Sequence, residues 1–298
     1  MDISIIIVSY NVREYIVSCI QSIYKHSKSN YSFEIIVVDN NSKDGTIDSL
    51  NKNFPNISLI KNSYNAGFSV GVNNGFKICK GKYILVLNPD TVFVEDTLDK
   101  LIDASNKQKE FGAIGPALIS ENGIMQQSIW RKPSLVNTLL SIFHLDFLNY
   151  KKNYRNYNFE DFSMVETISG AAFFFKRDIF VELNGLNEKL FWMEDIDFSM
   201  RLNKAGYKTY YFPLTKIIHF SGKSAKKNYK VAISNQLLSK VKFFRIHHSK
   251  MSANIILFSI LAVSLIKSII IFFIAPFSKI YRKKLNAYLF TIRSILNI

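Results

Sequence analysis

The stretch Glu34-Ile35-Ile36-Val37-Val38-Asp39-Asn40-Asn41-Ser42-Lys43-Asp44-Gly45-Thr46 decides the fold. A β-branched, aliphatic run ends abruptly in short polar side chains and one glycine. Strands buried on both faces of a parallel sheet read as such continuous runs. Open α/β sheets take their ligands just outside the carboxyl ends of those strands. Asp39 is therefore expected at the rim of a cleft, and Asp44 or Gly45-Thr46 should start the next helix. The pattern occurs twice more: Ile3 to Val8 runs into Ser9-Tyr10-Asn11, and Tyr83 to Leu87 runs into Asn88-Pro89-Asp90-Thr91. Three polar strand ends at one edge are hard to explain by packing alone.

Outward from these runs, strands near 3–9, 33–39, 57–60, 83–87 and 113–118 alternate with helical patterns near 12–25, 46–53, 69–79 and 95–108. Alternation of this kind predicts βαβ units and an α/β fold with a mainly parallel sheet. No G-x-G-x-x-G follows the first strand and no Walker-type loop occurs, which disfavours dinucleotide-binding and P-loop domains. From 120 to 165 the pattern weakens, and Gln126 to Pro133 opens a polar, aromatic-rich excursion through Tyr150, Tyr154 and Tyr157. A strand is expected again at 166–175. It contains Ser169-Gly170-Ala171-Ala172, whose small side chains permit close approach by a ligand or by another backbone. The segment Phe191-Trp192-Met193-Glu194-Asp195-Ile196-Asp197 then places three carboxylates at the start of an amphipathic helix. The helix dipole favours acids there and accounts for one or two of them. Gly206 is read as the helix cap, 207–212 as a further strand, and His219 follows.

The 298 residues suffice for one large α/β domain and an appendage, and the expected division is a domain over 1–235 and a helical tail over 236–298. The net charge of +15 is unevenly placed: residues 198–298 hold 18 Lys and Arg and no acid. Such asymmetry implies a polyanionic partner, either lipid headgroups or nucleic acid. Ile255–Phe277 is a 23-residue stretch with one charge, Lys267, and 16 of its residues are Ile, Leu, Phe or Val. At about −0.3 to −0.6 kcal/mol each, these outweigh the cost of about 2.5–3.5 kcal/mol for a central lysine, so a membrane span is open on length. Basic clusters flank both ends, and a single span would put one of them on the disfavoured side. A helix in the headgroup plane, or a re-entrant pair with 285–298, keeps both clusters on an anionic membrane surface and is the preferred expectation. The mixture of lysines with aliphatic runs argues against nucleic acid. Cys19 and Cys79 sit in helical patterns and read as buried free thiols. Met1-Asp2-Ile3 lacks the basic start of a signal peptide, so a cytoplasmic location is expected.

Seven segments in order resemble family 2 glycosyltransferases of the A-type nucleotide-sugar fold, and in particular the rhamnosyltransferase-like branch of bacterial surface-polysaccharide (O-antigen) synthesis. They are Val8-Ser9-Tyr10-Asn11, Val38 to Thr46, Asn65-Ala66-Gly67-Phe68, Leu87-Asn88-Pro89-Asp90, Ser169-Gly170-Ala171, Glu194-Asp195-Ile196-Asp197 and His219. The resemblance implies a nucleoside pocket built from Ser9, Tyr10, Asn11, Asp39, Asn41, Asn65, Gly67, Phe68 and Asn88. It implies Asp90 as the main ligand of Mg²⁺ or Mn²⁺, with His219 as a second, although on residues alone Asp90 also reads as a turn residue and His219 as structural. Asn88 stands where the family's D-x-D motif has an acid, so the site carries less charge than usual. Asp195 is the implied general base, Glu194 the residue orienting the acceptor, and Asp197 a helix anchor. Gly170, Ala171, Trp192, Gln127 and Arg131 are implied contacts of the donor sugar or acceptor. The partners that follow are a nucleotide-diphosphate sugar, with dTDP-L-rhamnose ahead of a UDP-hexose, and a lipid-linked saccharide at the cytoplasmic face of the plasma membrane. A catalytically dead nucleotide-sugar binding module and a homodimer both stay open.

Overall fold

Ile3–Ser9 forms the first strand, β1, and all seven of its residues are buried. Arg13–His26 (α1) returns across the sheet to β2, Phe33–Asp39, which pairs parallel with β1 so that Ser9 stands beside Asp39. The computed structural model describes all residues except 28–29, 109, 149–153, 155–159, 222–228 and 298, so Tyr150 and Tyr157 lie outside the described residues. Next come α2 (Thr46–Asn53), β3 (Ser58–Lys61), α3 (Phe68–Phe76), β4 (Tyr83–Leu87), β5 (Thr91–Phe93), α4 (Thr97–Asn106) and β6 (Phe111–Ile119). β7 (Ile129–Trp130), α5 (Leu135–Ile142), β8 (Ser163–Val165), β9 (Thr167–Ile168), β10 (Ala172–Lys176), α6 (Arg177–Glu182), α7 (Glu194–Lys204) and β11 (Lys208–His219) follow. The last 70 positions carry α8 (Tyr229–His247), α9 (Lys250–Ile274) and α10 (Lys279–Leu296).

Among the described residues the main sheet runs β3-β2-β1-β4-β10-β6-β11-β5, with β8 paired to β11. The expected parallel core is present as β3, β2, β1 and β4, while β10, β5 and β8 pair antiparallel. Two expectations are corrected. The strand expected at 166–175 is two strands, because the backbone at 169–170 bonds elsewhere: Ser169 N donates to Ser128 O and Gly170 N to Asp195 Oδ2. The strand expected to end at 212 runs on to His219 through a register shift between Phe212 and Lys216. Pro213 cannot donate to a ladder and reads as a strand end, but a bulge lets the strand continue past it.

The chain divides into two compact units. The first comprises Met1–Lys132, Tyr157–Glu188 and Glu194–Lys223; the second comprises Pro133–Asn156, Lys189–Met193 and Ser224–Ile298. In the first, Ile3, Ile5 and Ile7 meet Ile16, Cys19, Ile20 and Leu98 in the core. Cys19 and Cys79 are free and buried, and desolvation pushes both thiols up to about 12, as inert core residues require. In the second unit α9 buries Ala253, Ile256, Ile260, Val263, Ser264, Ser268 and Ile271, one helical stripe. Thr291 Oγ1 donates to Ser234 Oγ at 3.1 Å, and Ser234 Oγ to Ala287 O at 3.2 Å, so small residues set the contact between α8 and α10. Among the described residues, Lys250–Phe277 is the one helical stretch long and apolar enough to cross a membrane.

Gly81, just before β4, shows how tightly the sheet edge is built. Its N–H donates to Ser4 Oγ at 2.8 Å, and a Cβ added there would stand 2.4 Å from Ser4 N. Backbone cannot yield as a side-chain tip does, so Gly81→Ala is expected to cost about 1–3 kcal/mol. A lower urea midpoint with an unchanged slope would register it, and an unchanged midpoint would show that the edge relaxes freely.

Candidate active site

The polar strand tips expected to form a nucleoside pocket are adjacent. Ser9 and Asp39 face each other in register at the ends of β1 and β2, and both are fully buried. Asp39 Oδ2 accepts the Ser42 N–H at 2.8 Å, whereas Asp39 Oδ1 and Ser9 Oγ are buried without a hydrogen-bond partner. Buried polar atoms are almost always satisfied. Asp39 Oδ1 and Ser9 Oγ, on neighbouring strand ends, thus keep hydrogen-bonding capacity that the described residues do not use. The loops around them are fixed by polar contacts. Asn11 and Asn41 occupy left-handed backbone (φ 54° and 64°), which asparagine tolerates better than other side chains. Asn11 Oδ1 accepts Lys43 N at 2.7 Å, and Asn41 Nδ2 donates to Ser63 O at 2.8 Å. Asn65 Oδ1 accepts the N–H of Gly67, whose φ of 87° suits glycine, and Phe68 begins α3 half-buried. Tyr10 is exposed at the same rim.

Asp90 and His219, 129 positions apart in the chain, are brought together by one short pairing. β5 starts at Thr91 and β11 ends at His219, and these two residues stand opposite each other. His219 Nε2 lies 3.5 Å from Asp90 Oδ1, and Phe220 N donates to Asp90 O at 2.9 Å. The imidazole is held by Gln126, a residue the sequence reading passed over in favour of Gln127. Gln126 Nε2 donates to His219 O at 2.8 Å, so its Oε1 is the atom 3.2 Å from His219 Nδ1. An amide oxygen only accepts, so Nδ1 carries a proton, and in the neutral ring Nε2 is the acceptor. A carboxylate oxygen and an imidazole nitrogen thus face each other 3.5 Å apart. Oxygen-plus-imidazole suits a divalent metal of the Mg²⁺/Mn²⁺ kind, with imidazole favouring Mn²⁺. Among the described residues no group of three or more His, Cys, Asp or Glu side chains could hold a metal. Two protein ligands alone would have to be completed by phosphate and water.

The acidic cluster starts α7 as expected. Asp197 is fully buried and pairs with Arg201, whose other donors reach Leu183 O and Gly185 O, so it anchors the helix. Asp195 Oδ2 accepts the Gly170 N–H at 2.8 Å, and Oδ1 accepts its own neighbour Ile196 N at 2.8 Å. Gly170 leaves little room: a Cβ would stand 3.3 Å from Asp195 Cβ. The next residue, Ala171, accepts the Asn88 N–H at 2.9 Å. Through Gly170-Ala171 the acidic helix start is thus tied to the Asn88-Pro89-Asp90 turn. Glu194 Oε2 is buried with no hydrogen-bond partner. Desolvation, and then the neighbouring Asp195 charge, hold the Glu194 carboxyl well above the usual carboxylate range. Desolvation also raises Asp195, against the two backbone N–H groups that favour its charged form.

The remaining candidates, Arg131, Gln127 and Trp192, have partners within the chain. Arg131 forms an ion pair with Glu166 at 3.0 Å, and Glu166 also accepts Lys132 N at 2.6 Å. Gln127 Nε2 donates to Ile129 O at 3.3 Å. Trp192 belongs to the helical unit, where its N–H donates to Ser239 Oγ at 3.2 Å.

The raised Glu194 carboxyl has a stability consequence. A carboxyl whose folded pKa lies above its unfolded value stabilises the protein below the unfolded pKa and loses that contribution as pH rises through the folded pKa. At neutral pH the charged form is therefore a burden, and Glu194→Gln should unfold at higher urea than wild type. The difference should vanish on acidification through the range where Glu194 takes up its proton. A substitution that destabilises at every pH would contradict the assignment.

The sequence model described as Glycosyl transferase family 2 matches residues 4–183. The N-acetylglucosaminyl-diphospho-decaprenol L-rhamnosyltransferase of Mycobacterium tuberculosis is 26% identical over 212 residues, 65% of this chain and 68% of that protein. The UDP-Glc:alpha-D-GlcNAc-diphosphoundecaprenol beta-1,3-glucosyltransferase of Escherichia coli is 30% identical over 136 residues, covering 45% and 53%. Among solved structures, a mannosyltransferase from Pyrobaculum calidifontis in complex with GDP-Man and Mn²⁺ superimposes with a TM-score of 0.58 at 15% identity, over 99% of this chain and 86% of that one. GalNAc-T7 with UDP, GalNAc and Mn²⁺ gives 0.57 at 17% identity, over 74% and 44%, and at these identities both likenesses concern the fold alone. With the match covering most of the α/β part and the strand-tip site in place, the chain belongs to glycosyl transferase family 2.

Proposed function

We propose that this chain transfers a sugar, with inversion, from a nucleoside diphosphate donor to a lipid-linked saccharide in bacterial surface-polysaccharide synthesis, with metal assistance. The observation that carries the reading is the opposed Asp90–His219 pair joined, through Asn88 and Ala171-Gly170, to Asp195. Asp39 Oδ1 and Ser9 Oγ would take the hydrogen bonds of the nucleoside. Asp90 and His219 would hold Mg²⁺ or Mn²⁺, which on binding neutralises charge on the departing diphosphate. Asp195 would accept the proton of the attacking hydroxyl as its oxygen bonds to the anomeric carbon and the bond from that carbon to the diphosphate breaks. A single displacement of this kind inverts the anomeric centre. Glu194, neutral when its burial keeps it protonated, can donate a hydrogen bond to an acceptor oxygen.

dTDP-L-rhamnose is the preferred donor, because the mycobacterial relative is named as an L-rhamnosyltransferase. A UDP-hexose is the rival, supported by the Escherichia coli relative, which is named for UDP-Glc. Both relatives are named for acceptors on a diphospho-polyprenol, which supports a lipid-linked acceptor here. The basic C-terminal region and the apolar face of α9 support attachment at the cytoplasmic face of the membrane, with α9 and α10 lying against the bilayer as a helical pair.

Asp195→Asn separates chemistry from binding. It should lower kcat by about 10²–10⁴-fold while leaving the affinity for nucleoside diphosphate and Mn²⁺ within a few-fold of wild type. Turnover like that of wild type would remove Asp195 from the base role. The two-ligand site makes a second forecast. Mn²⁺ alone should bind weakly, and dTDP or UDP should tighten it. Asp90→Asn or His219→Ala should abolish the tightening, and Gln126→Leu, by freeing the imidazole, should weaken Mn²⁺ by about 10–100-fold. Mn²⁺ binding followed by electron paramagnetic resonance reads this without turnover. Tight binding of Mn²⁺ by the protein alone would point to a different donor set.

A further inference from the structure

Lys267 is the one charge in the apolar stretch Ile255–Phe277, and the surroundings of its ammonium group are unusual. It is half-buried on α9, between the exposed pairs Leu265/Ile266 and Ile269/Ile270. Its Nζ donates to His144 Nε2, just beyond the end of α5, and lies 5.4 Å from the Tyr288 ring centre on α10. An ammonium has no lone pair, so His144 must be the acceptor and is neutral in this arrangement. Lys284 stands one helical turn before Tyr288 on the same face of α10, with its Nζ 5.3 Å from the Tyr281 ring centre. The helical unit contains a single acidic side chain, Asp146, and its charge is set toward Lys240. Two cations are thus brought together in a helical unit almost without acids. Around them the surface is apolar: Phe143, Leu145, Phe147 and Leu148 after α5, and Phe272, Phe273 and Phe277 at the end of α9, are exposed.

We propose that Lys267, Lys284, His144 and Tyr288 form a notch for the phosphate of a lipid whose chains lie along the exposed aliphatic and phenylalanine side chains. Lysine binds phosphate as a point charge, and a phosphate monoester offers enough oxygens to meet both ammonium groups together. The apolar rim explains why the ligand is an amphiphile, since a soluble phosphate would leave the rim in water. The inference rests on the membrane attachment proposed above and deepens it from general charge attraction to one headgroup site.

Flotation of the full-length chain with vesicles tests it. Three compositions serve: phosphatidylcholine alone, and phosphatidylcholine with either phosphatidic acid or phosphatidylglycerol, matched in surface charge. The wild type should favour phosphatidic acid over phosphatidylglycerol, because its monoester is open to all the donors. Lys267→Gln/Lys284→Gln should erase that preference. Lys279→Gln/Lys283→Gln removes the same charge from the exposed first turns of α10. It should weaken both anionic vesicles by about thirtyfold, two charges at about 1 kcal/mol each, and keep the preference. Lys284→Gln alone, at a half-exposed position, reads the same effect should the double variant fail to fold. Equal binding to both anionic vesicles by the wild type, or the same loss in both double variants, would show diffuse attraction only and overturn the notch while sparing membrane attachment. No flotation with any vesicle would overturn both. Stabilisation by inorganic pyrophosphate that disappears in Lys267→Gln/Lys284→Gln would then mean a phosphate site without a lipid.

Discussion

Asp90 Oδ1 and His219 Nε2, a carboxylate oxygen and an imidazole nitrogen from distant parts of the chain, stand 3.5 Å apart. The arrangement persists because each is held from behind. Asp90 follows the turn Asn88-Pro89 at the end of β4, and Gln126 fixes the tautomer of the imidazole while its amide bonds the His219 carbonyl. Such an opposition costs energy unless a proton or a cation occupies it. The sheet topology serves to produce it: β5 is only three residues long, and its pairing with the last residues of β11 brings the histidine to the aspartate.

The same edge carries the other half of the site. β1 and β4 flank each other in parallel, so Ser9, Asp39 and the Asn88-Pro89-Asp90 turn emerge on one side. The antiparallel insertion of β10 beside β4 reverses the chain direction, so the start of β10 meets the end of β4. Gly170 and Ala171 therefore lie between Asp195 and Asn88, where a larger residue than glycine would press on the Asp195 side chain. The backbone N–H groups of Ser169 and Gly170, between β9 and β10, bond Ser128 O and the Asp195 carboxylate instead of a strand partner. A break in a strand here is the condition for holding a carboxylate.

Much of this was legible in the sequence, for physical reasons. Buried parallel strands need unbroken aliphatic runs, so Ile3–Val8, Ile35–Val38 and Tyr83–Leu87 announce themselves together with their polar tips. The three carboxylates of α7 stand out because helix dipoles account for only some of them. His219 was legible only through the family resemblance, because Pro213 interrupts the strand pattern before it and the bulge that carries β11 past Pro213 has no local signature. Gln126 left no signal: its role exists only once residues 93 positions apart meet. The C-terminal helices were legible from hydropathy, whereas the grouping of Pro133–Asn156 and Lys189–Met193 with Ser224–Ile298 in one compact unit was not, since neither segment has the composition of the tail.

The central claim, that the Asp90–His219 pair is a cation site completed by a nucleoside diphosphate, has a direct measurement. Crystals grown with Mn²⁺ and dTDP or UDP, measured at the manganese absorption edge, should give an anomalous peak between Asp90 Oδ1 and His219 Nε2 that also touches the diphosphate. A nucleotide bound with its metal away from both side chains, or a His219 imidazole turned from the metal onto another partner, would contradict the account.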